Sequence, residues 1–189
     1  AAILNKGISY TLMLLFPVTL VIAISAKLWL AWWLGKAFSV QSASIVYWLS
    51  AGVLINSIAQ ILYAKVQGAG KAEWTAKLHL LESIPYWLML WLLLKLNGIE
   101  GAAIAWFIRA VIDFIGLAYL VMLIHNQNNP PLKKLIFISL LSCIPIISLL
   151  YAKNLIVIII TLTIATFIYT ALAFKKLKHD GYWQKKIFL

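Results

Sequence analysis

Long apolar runs separated by short polar gaps occupy most of this 189-residue chain. Six runs stand out, at about 8–33, 43–64, 76–96, 101–124, 133–151 and 154–174. Each is long enough for an α-helix, which rises about 1.5 Å per residue, to cross a hydrocarbon layer of about 30 Å. Helices of soluble domains alternate apolar and polar faces and do not need such runs. The pattern therefore predicts an all-α membrane protein with six transmembrane helices.

Composition supports the membrane assignment. Hydrophobic residues make up 64% of the chain, charged residues 11%, and the mean hydropathy is +0.97. A soluble domain with so little polar surface would aggregate. The net charge of +11 is spread over the gaps between runs, which argues against nucleic acid as a partner. A single cysteine, Cys143, excludes a disulfide within the chain.

The positions of the lysines predict the topology. With a cytoplasmic N-terminus, eleven lysines fall in cytoplasmic segments and four in outer segments, the four being Lys27, Lys36, Lys95 and Lys153. This asymmetry follows the positive-inside rule and predicts that both termini are cytoplasmic. Residues 1–174 would form the helix bundle and 175–189 a basic cytoplasmic tail. Without an initiator methionine or a signal-peptide pattern, we expect the chain to be a piece of a longer membrane protein.

Glycines and prolines mark where the helices end or bend. Gly35 closes the first run, the segment Gln67–Lys71 closes the second, and Gly98 with its preceding asparagine closes the third. Proline inside a membrane helix is tolerated where neighbours satisfy the freed carbonyl, and it often bends the helix. Three such candidate kinks occur, at Pro17, Pro85 and Pro145.

One face of the fourth run carries charge and small side chains. Steps of three or four residues place on this face Ala102, Ala105, Arg109, Asp113 and Gly116. A charge at mid-membrane costs about 2.5–3.5 kcal/mol, so both charges should turn away from lipid, and their i,i+4 spacing lets them pair. Two interpretations stay open: a structural ion pair that fixes helix packing, or a charged cavity lining that meets an anionic substrate or a proton.

A polar stripe follows the second run at helical spacing, formed by Asn56, Gln60, Tyr63 and Gln67. Unpaired amides are costly in lipid, so this stripe should face the bundle interior. It would either line a hydrophilic path for sugars or hydrogen-bond between helices.

Glu82 is the second carboxylate expected to be buried, about 8 Å from the cytoplasmic end of its helix at Lys77. His79 lies one turn earlier on the same face. The two could share a cation or form an interfacial hydrogen-bonded pair. A direct bridge from Glu82 to Arg109 is not expected, because the two lie at different depths.

Signals of enzymes are absent. The turn Gly68–Lys71 lacks the spacing of a phosphate-binding loop, and the three histidines, His79, His125 and His179, lack metal-ligand spacing. We therefore expect no catalytic residue, no cofactor and no metal, and a transporter instead of an enzyme. The candidate cavity residues are Arg109, Asp113, Asn56, Gln60 and Glu82.

Several stretches within residues 1–125 carry a family resemblance: LWLAWWLGKAF at 28–38, the turn at 68–71, and NGIEGAAIAW at 97–106. Together they resemble the polysaccharide transporter branch of the multidrug/oligosaccharidyl-lipid/polysaccharide flippase superfamily, and more narrowly an O-antigen flippase. The last two runs carry no recognisable motif. Such flippases consist of two pseudo-symmetric bundles, and the resemblance implies that this chain is the C-terminal one.

The resemblance also implies a function. The protein would move an undecaprenyl-pyrophosphate-linked repeat unit of O-antigen or a similar polysaccharide across the bacterial inner membrane by alternating access. Its partners would be the lipid-linked oligosaccharide, membrane lipids, a coupling proton or sodium ion, and the polysaccharide polymerase and chain-length proteins. Two alternatives stay open. One is a drug or small-molecule exporter of the same superfamily, and the other is a membrane-embedded assembly subunit or enzyme of glycan synthesis.

Overall fold

The computed structural model describes residues 2–124, 130–150 and Thr163. Throughout this described part the chain is helical, with no strand. The helices are α1 (Ala2–Leu34), α2 (Lys36–Gly68), α3 (Ala72–Ile124), α4 (Pro130–Leu141) and α5 (Cys143–Ser148). The run 154–174 and the tail 175–189 lie outside the described residues, so the sixth helix and the basic tail stay predictions.

Three of these helices are long and apolar enough to cross a membrane. They are α1, over Ile3–Leu34, and the whole of α2 and α3. The all-helical class is therefore confirmed for the described residues, and the length and composition of these three helices are consistent with a membrane protein. The count of six spans and the cytoplasmic placement of both termini stay predictions.

Helix α3 folds back on itself at Gly98. A straight helix of its 53 residues would be about 80 Å long, more than twice the thickness of the hydrocarbon core. Gly98 has φ 59° and ψ −143°, a conformation open to glycine and closed to most other residues. Residues on either side of it then meet, as Leu78 meets Gly116 and Tyr86 meets Arg109. Helix α3 is thus two antiparallel arms, a first arm at 72–97 and a second arm at 99–124.

The fold-back is tight because a second glycine lies just beyond it. A Cβ atom added at Gly101 would overlap the backbone carbonyl of Leu93, across the turn. The stretch NGIEGA at 97–102 therefore supplies one glycine for the backbone conformation and another for close approach of the two arms. The predicted boundary between the third and fourth runs is confirmed. Each arm, at about 39 Å, is long enough to span a membrane.

Helix α2 lies antiparallel to α1 after a turn of one residue, Gly35, which has φ 91°. The hydroxyl of Ser39 donates a hydrogen bond to the carbonyl of Lys27, at 2.8 Å, and joins the two helices beside this turn. At the far end of the pair, Gly7 of α1 lies against Ile61 of α2.

Helix α2 also contacts both arms of α3. The rings of Trp48 and Phe107 have centroids 5.4 Å apart. One turn further along α2, Gly52 lies against the ring of Trp106 on the second arm. Near its C-terminal end, α2 reaches the first arm through its polar stripe. Twelve residues of α2 are buried, which makes it the central helix of the described fold.

Other helix ends follow from local chemistry. Helix α2 ends at Gly68, and Gly70 with φ 73° turns the chain into α3, which confirms the predicted end at 67–71. In a continuous helix the ring of Pro145 would clash with the backbone carbonyl of Leu141. The helix is interrupted at this point, between α4 and α5. The candidate kinks Pro17 and Pro85 lie within α1 and α3.

We predict that Gly52→Val destabilises the bundle. A Cβ at this position would approach ring carbons of Trp106 more closely than van der Waals contact allows. Overpacking of this kind costs about 1–3 kcal/mol. The measurement is the thermal unfolding midpoint of the purified protein in detergent. Gly68→Ala is the matched control, because no atom lies within 4 Å of its Cβ position. Equal midpoints for the two variants would contradict the packing of α2 on the second arm.

Candidate functional site

A cavity of about 370 Å³ lies between α2 and the two arms of α3. Helix α2 contributes two amides to its wall, the first arm contributes an imidazole, and the second arm contributes a cation, a carboxylate and an indole. The lining residues are Asn56, Gln60, His79, Trp106, Arg109, Ala110 and Asp113. Polar side chains on membrane-length helices therefore converge on one internal space.

The polar stripe of α2 faces α3 along its whole length. Asn56 and Gln60 line the cavity. One turn on, the ring of Tyr63 lies 5.8 Å from the His79 ring, centroid to centroid. At the end of the stripe, Nε2 of Gln67 donates a hydrogen bond to Oγ1 of Thr75, at 2.7 Å. The stripe thus combines both sequence interpretations: two of its amides line the cavity, and the last one joins two helices.

The charges of the second arm do not form the pair that their spacing allows. The guanidinium carbon of Arg109 lies 5.2 Å from the ring centroid of Tyr86 on the first arm, within range of a cation–π interaction. Among the residues that the structure describes, no carboxylate oxygen lies within 4 Å of a guanidinium nitrogen of Arg109. The guanidinium therefore remains available to a ligand in the cavity.

Asp113 instead faces His79, across the fold-back. Its Oδ1 lies 3.4 Å from Nδ1 of His79. Oε2 of Glu82 lies 4.0 Å from the same nitrogen. The carboxylates of Glu82 and Asp113 are almost entirely buried, with 5% and 10% of their side chains exposed. Two carboxylates and one imidazole thus share a small volume beside the cavity.

Four of the five predicted cavity residues line the cavity: Arg109, Asp113, Asn56 and Gln60. Glu82 is not part of the lining and lies next to it, in the His79 cluster. Sequence reasoning missed His79 and Trp106 as lining residues. For His79 the sequence held a signal, its i,i+3 spacing from Glu82, which places both side chains on one helix face. Nothing in the sequence pattern points to Trp106, whose role depends on the close approach of Gly52.

The arrangement suits a ligand that is both anionic and rich in hydroxyl groups. A guanidinium binds phosphate or carboxylate oxygens through two parallel hydrogen bonds. The amides of Asn56 and Gln60 can donate to and accept from hydroxyls. The indole of Trp106 offers an apolar face beside them.

Comparison with known proteins gives one distant relative. Over 116 residues the chain is 31% identical to a protein of Shigella flexneri described as "Putative O-antigen transporter". The match covers 61% of this chain and 28% of the relative, so the chain spans less than a third of that protein's length. No protein-family model matches the chain. No solved structure matches it either.

We predict that the cavity is open to water-soluble reagents. On a Cys143→Ser background, Gln60→Cys should react with a membrane-impermeant methanethiosulfonate, because Gln60 is an exposed residue of the cavity wall. Ala59→Cys is the matched control, since Ala59 is fully buried one residue away. We expect modification of Gln60→Cys to be at least about tenfold faster, a difference of about 1.4 kcal/mol in barrier. Equal rates in mass spectrometry would contradict a water-accessible cavity.

Proposed function

We propose that this chain forms one helix bundle of a transporter that moves a lipid-linked oligosaccharide, the repeat unit of O-antigen or a similar polysaccharide, across the bacterial inner membrane. The observation that carries the proposal is the cavity between membrane-length helices, where two amides lie with Arg109, a cation that forms no ion pair with the described residues. The similarity to an O-antigen transporter of Shigella flexneri supports the same class of cargo.

The cavity chemistry fits the head group of such a substrate. An undecaprenyl-pyrophosphate sugar carries phosphate charges and many hydroxyls, while its polyprenyl tail belongs in the bilayer. Arg109 would bind a phosphate oxygen or an acidic sugar, and Asn56 and Gln60 would bind hydroxyls. Exposed apolar side chains of the first arm, such as Trp87 and Trp91, provide a surface compatible with lipid.

The cavity is the size expected for one half of a larger binding site. About 370 Å³ lies at the low end of small-molecule pockets, which range over about 300–1,000 Å³. One sugar or one phosphate group fits this space, and a whole repeat unit does not. In transporters built from repeated bundles, the substrate lies between the bundles near the middle of the membrane. A second bundle would supply the opposite wall, and rocking of the two would give alternating access.

Energy coupling and partners follow from the same proposal. A proton or a sodium ion would drive or accompany transport, and the polysaccharide polymerase and chain-length proteins would receive the product. The protein would be a transporter, not an enzyme.

We predict that Arg109→Ala, made in the complete gene product, lowers transport about ten- to a hundredfold. Hydrogen bonds to a charged group contribute about 1.5–3 kcal/mol, and alanine removes them. The measurement is surface O-antigen in a bacterial strain whose own O-antigen transporter is deleted, quantified against the amount of protein in the membrane. Arg109→Lys keeps the charge without the bidentate geometry and should fall between alanine and wild type.

The matched control is Lys77→Ala, which removes an exposed cation from the first arm of α3, paired only with the exposed Glu73. It should leave surface glycan near the wild-type amount. Wild-type glycan with Arg109→Ala would remove Arg109 from the substrate site. Loss of the Arg109→Ala protein from the membrane would instead assign the residue a structural role.

A further inference from the structure

The two arms of α3 bring together three side chains that are typical metal ligands. His79 and Glu82 come from the first arm and Asp113 from the second. One potential ligand atom of each lies within 4.8 Å of the other two. The shortest separation, 3.4 Å, joins Nδ1 of His79 and Oδ1 of Asp113. His79 and Glu82 are neighbours one turn apart on the first arm, and the fold-back at Gly98 brings Asp113 of the second arm to them.

The ligand atoms are buried and do not satisfy one another. No described residue makes a hydrogen bond with Nδ1 of His79, with either carboxylate oxygen of Glu82, or with Oδ1 of Asp113. Leaving a buried charged acceptor without a partner costs more than a lost neutral hydrogen bond. Four convergent polar atoms in this condition indicate a group that binds all of them at once.

Arg109 does not supply that group. It is the nearby cation, but its guanidinium lies over Tyr86 and forms no ion pair within the described part of the chain. The first arm has two lysines: Lys77 pairs with the exposed Glu73 at 4.0 Å, and Lys95 lies over the ring of Trp91. Within the described part of the chain, no lysine or arginine nitrogen lies within 4 Å of the carboxylates of Glu82 and Asp113, which leaves them open to a cation from solution.

We propose that His79, Glu82 and Asp113 form a binding site for a divalent first-row transition-metal ion of the zinc class. One imidazole nitrogen with two carboxylates is a ligand set for these metals, whereas sodium, magnesium and calcium prefer oxygen alone. A dication would balance the charge of the two carboxylates.

The geometry suits such an ion. Two ligands of a tetrahedral ion with bonds of about 2.1 Å lie about 3.4 Å apart, which is the separation of the His79 and Asp113 atoms. Glu82 needs a shift of its carboxylate toward the other two. With three protein ligands, one coordination position remains for water or for a cargo oxygen, and two of the ligand residues line the cavity. His79 keeps 38% of its side chain exposed, which gives an ion a way in.

The test is metal binding by the purified protein in lipid nanodiscs after treatment with a chelator. Isothermal titration with Zn²⁺ should show one ion per chain, and Co²⁺ should give the visible absorption of a bound ion. Glu82→Gln and His79→Ala should each weaken Zn²⁺ binding at least about tenfold, because each removes one of three ligands. The matched control is Glu73→Gln, an exposed carboxylate of the first arm, which should bind as wild type does.

A rescue variant separates lost ligands from misfolding. His79→Cys places a thiolate at the same position and should bind Cd²⁺ at least about tenfold more tightly than wild type, because soft metals prefer sulfur. Zn²⁺ binding that is unchanged in Glu82→Gln and His79→Ala overturns the proposal, as does the absence of binding by the wild type. A His79→Cys variant with wild-type affinity for Cd²⁺ also overturns it. These readouts are independent of transport, so their failure leaves the proposed function standing.

Discussion

Charged side chains on membrane-length helices are costly to expose to lipid, and the fold-back of α3 at Gly98 places the charges of its two arms beside each other. The turn places the first arm beside the second, so that Asp113 meets His79 and Arg109 meets Tyr86. In a straight helix these partners would be far apart and each charge would face hydrocarbon or a neighbour by itself. Two glycines make the turn possible, one by its backbone conformation and the other by letting the arms approach. The set of side chains that lines the cavity therefore depends on the short glycine-containing turn that joins the two arms of α3.

Helix α2 completes the cavity by packing against the two arms of α3. Its buried face packs against the second arm at Gly52, where the missing side chain admits the ring of Trp106. Its polar stripe then runs along the space between the arms. The amides of Asn56 and Gln60 face Arg109 across the cavity, and the ring of Tyr63 packs near His79. The amides, the cation, His79 and Asp113 thus line one cavity, while Glu82 lies beside it. An anionic, hydroxyl-rich ligand would bind through Arg109 and the amides, and a metal ion would bind through His79, Glu82 and Asp113 at a neighbouring position.

The sequence predicted α1, α2 and the two arms of α3. The run 133–151, predicted as one membrane helix, is divided into α4 and α5, and the contacts between elements were predicted only in part. Hydropathy marks the membrane-buried portion of a helix, so the first two runs, at 8–33 and 43–64, are shorter than the helices α1 and α2 that contain them. Glycine chemistry located the ends at Gly35 and Gly98 because few other residues adopt those conformations. Helical spacing identified the stripe of α2 and the charged face of the second arm. It could not identify the partner of Asp113. Spacing along one helix suggested Arg109, whereas the partner lies on the other arm, at a place that only the direction of the turn determines.

The fold-back is therefore the claim to test most directly, and a disulfide across it does so. On a Cys143→Ser background, Leu78→Cys and Gly116→Cys are combined and the membranes are oxidised. In the structure the two positions are in contact, whereas a straight helix would hold them about 57 Å apart. The pair Leu78→Cys with Leu94→Cys, both on the first arm, is the control that should not cross-link. Peptide mass spectrometry should find a 78–116 disulfide in most of the protein. Reduced thiols at both positions after complete oxidation would contradict the hairpin, and with it the cavity and the cluster.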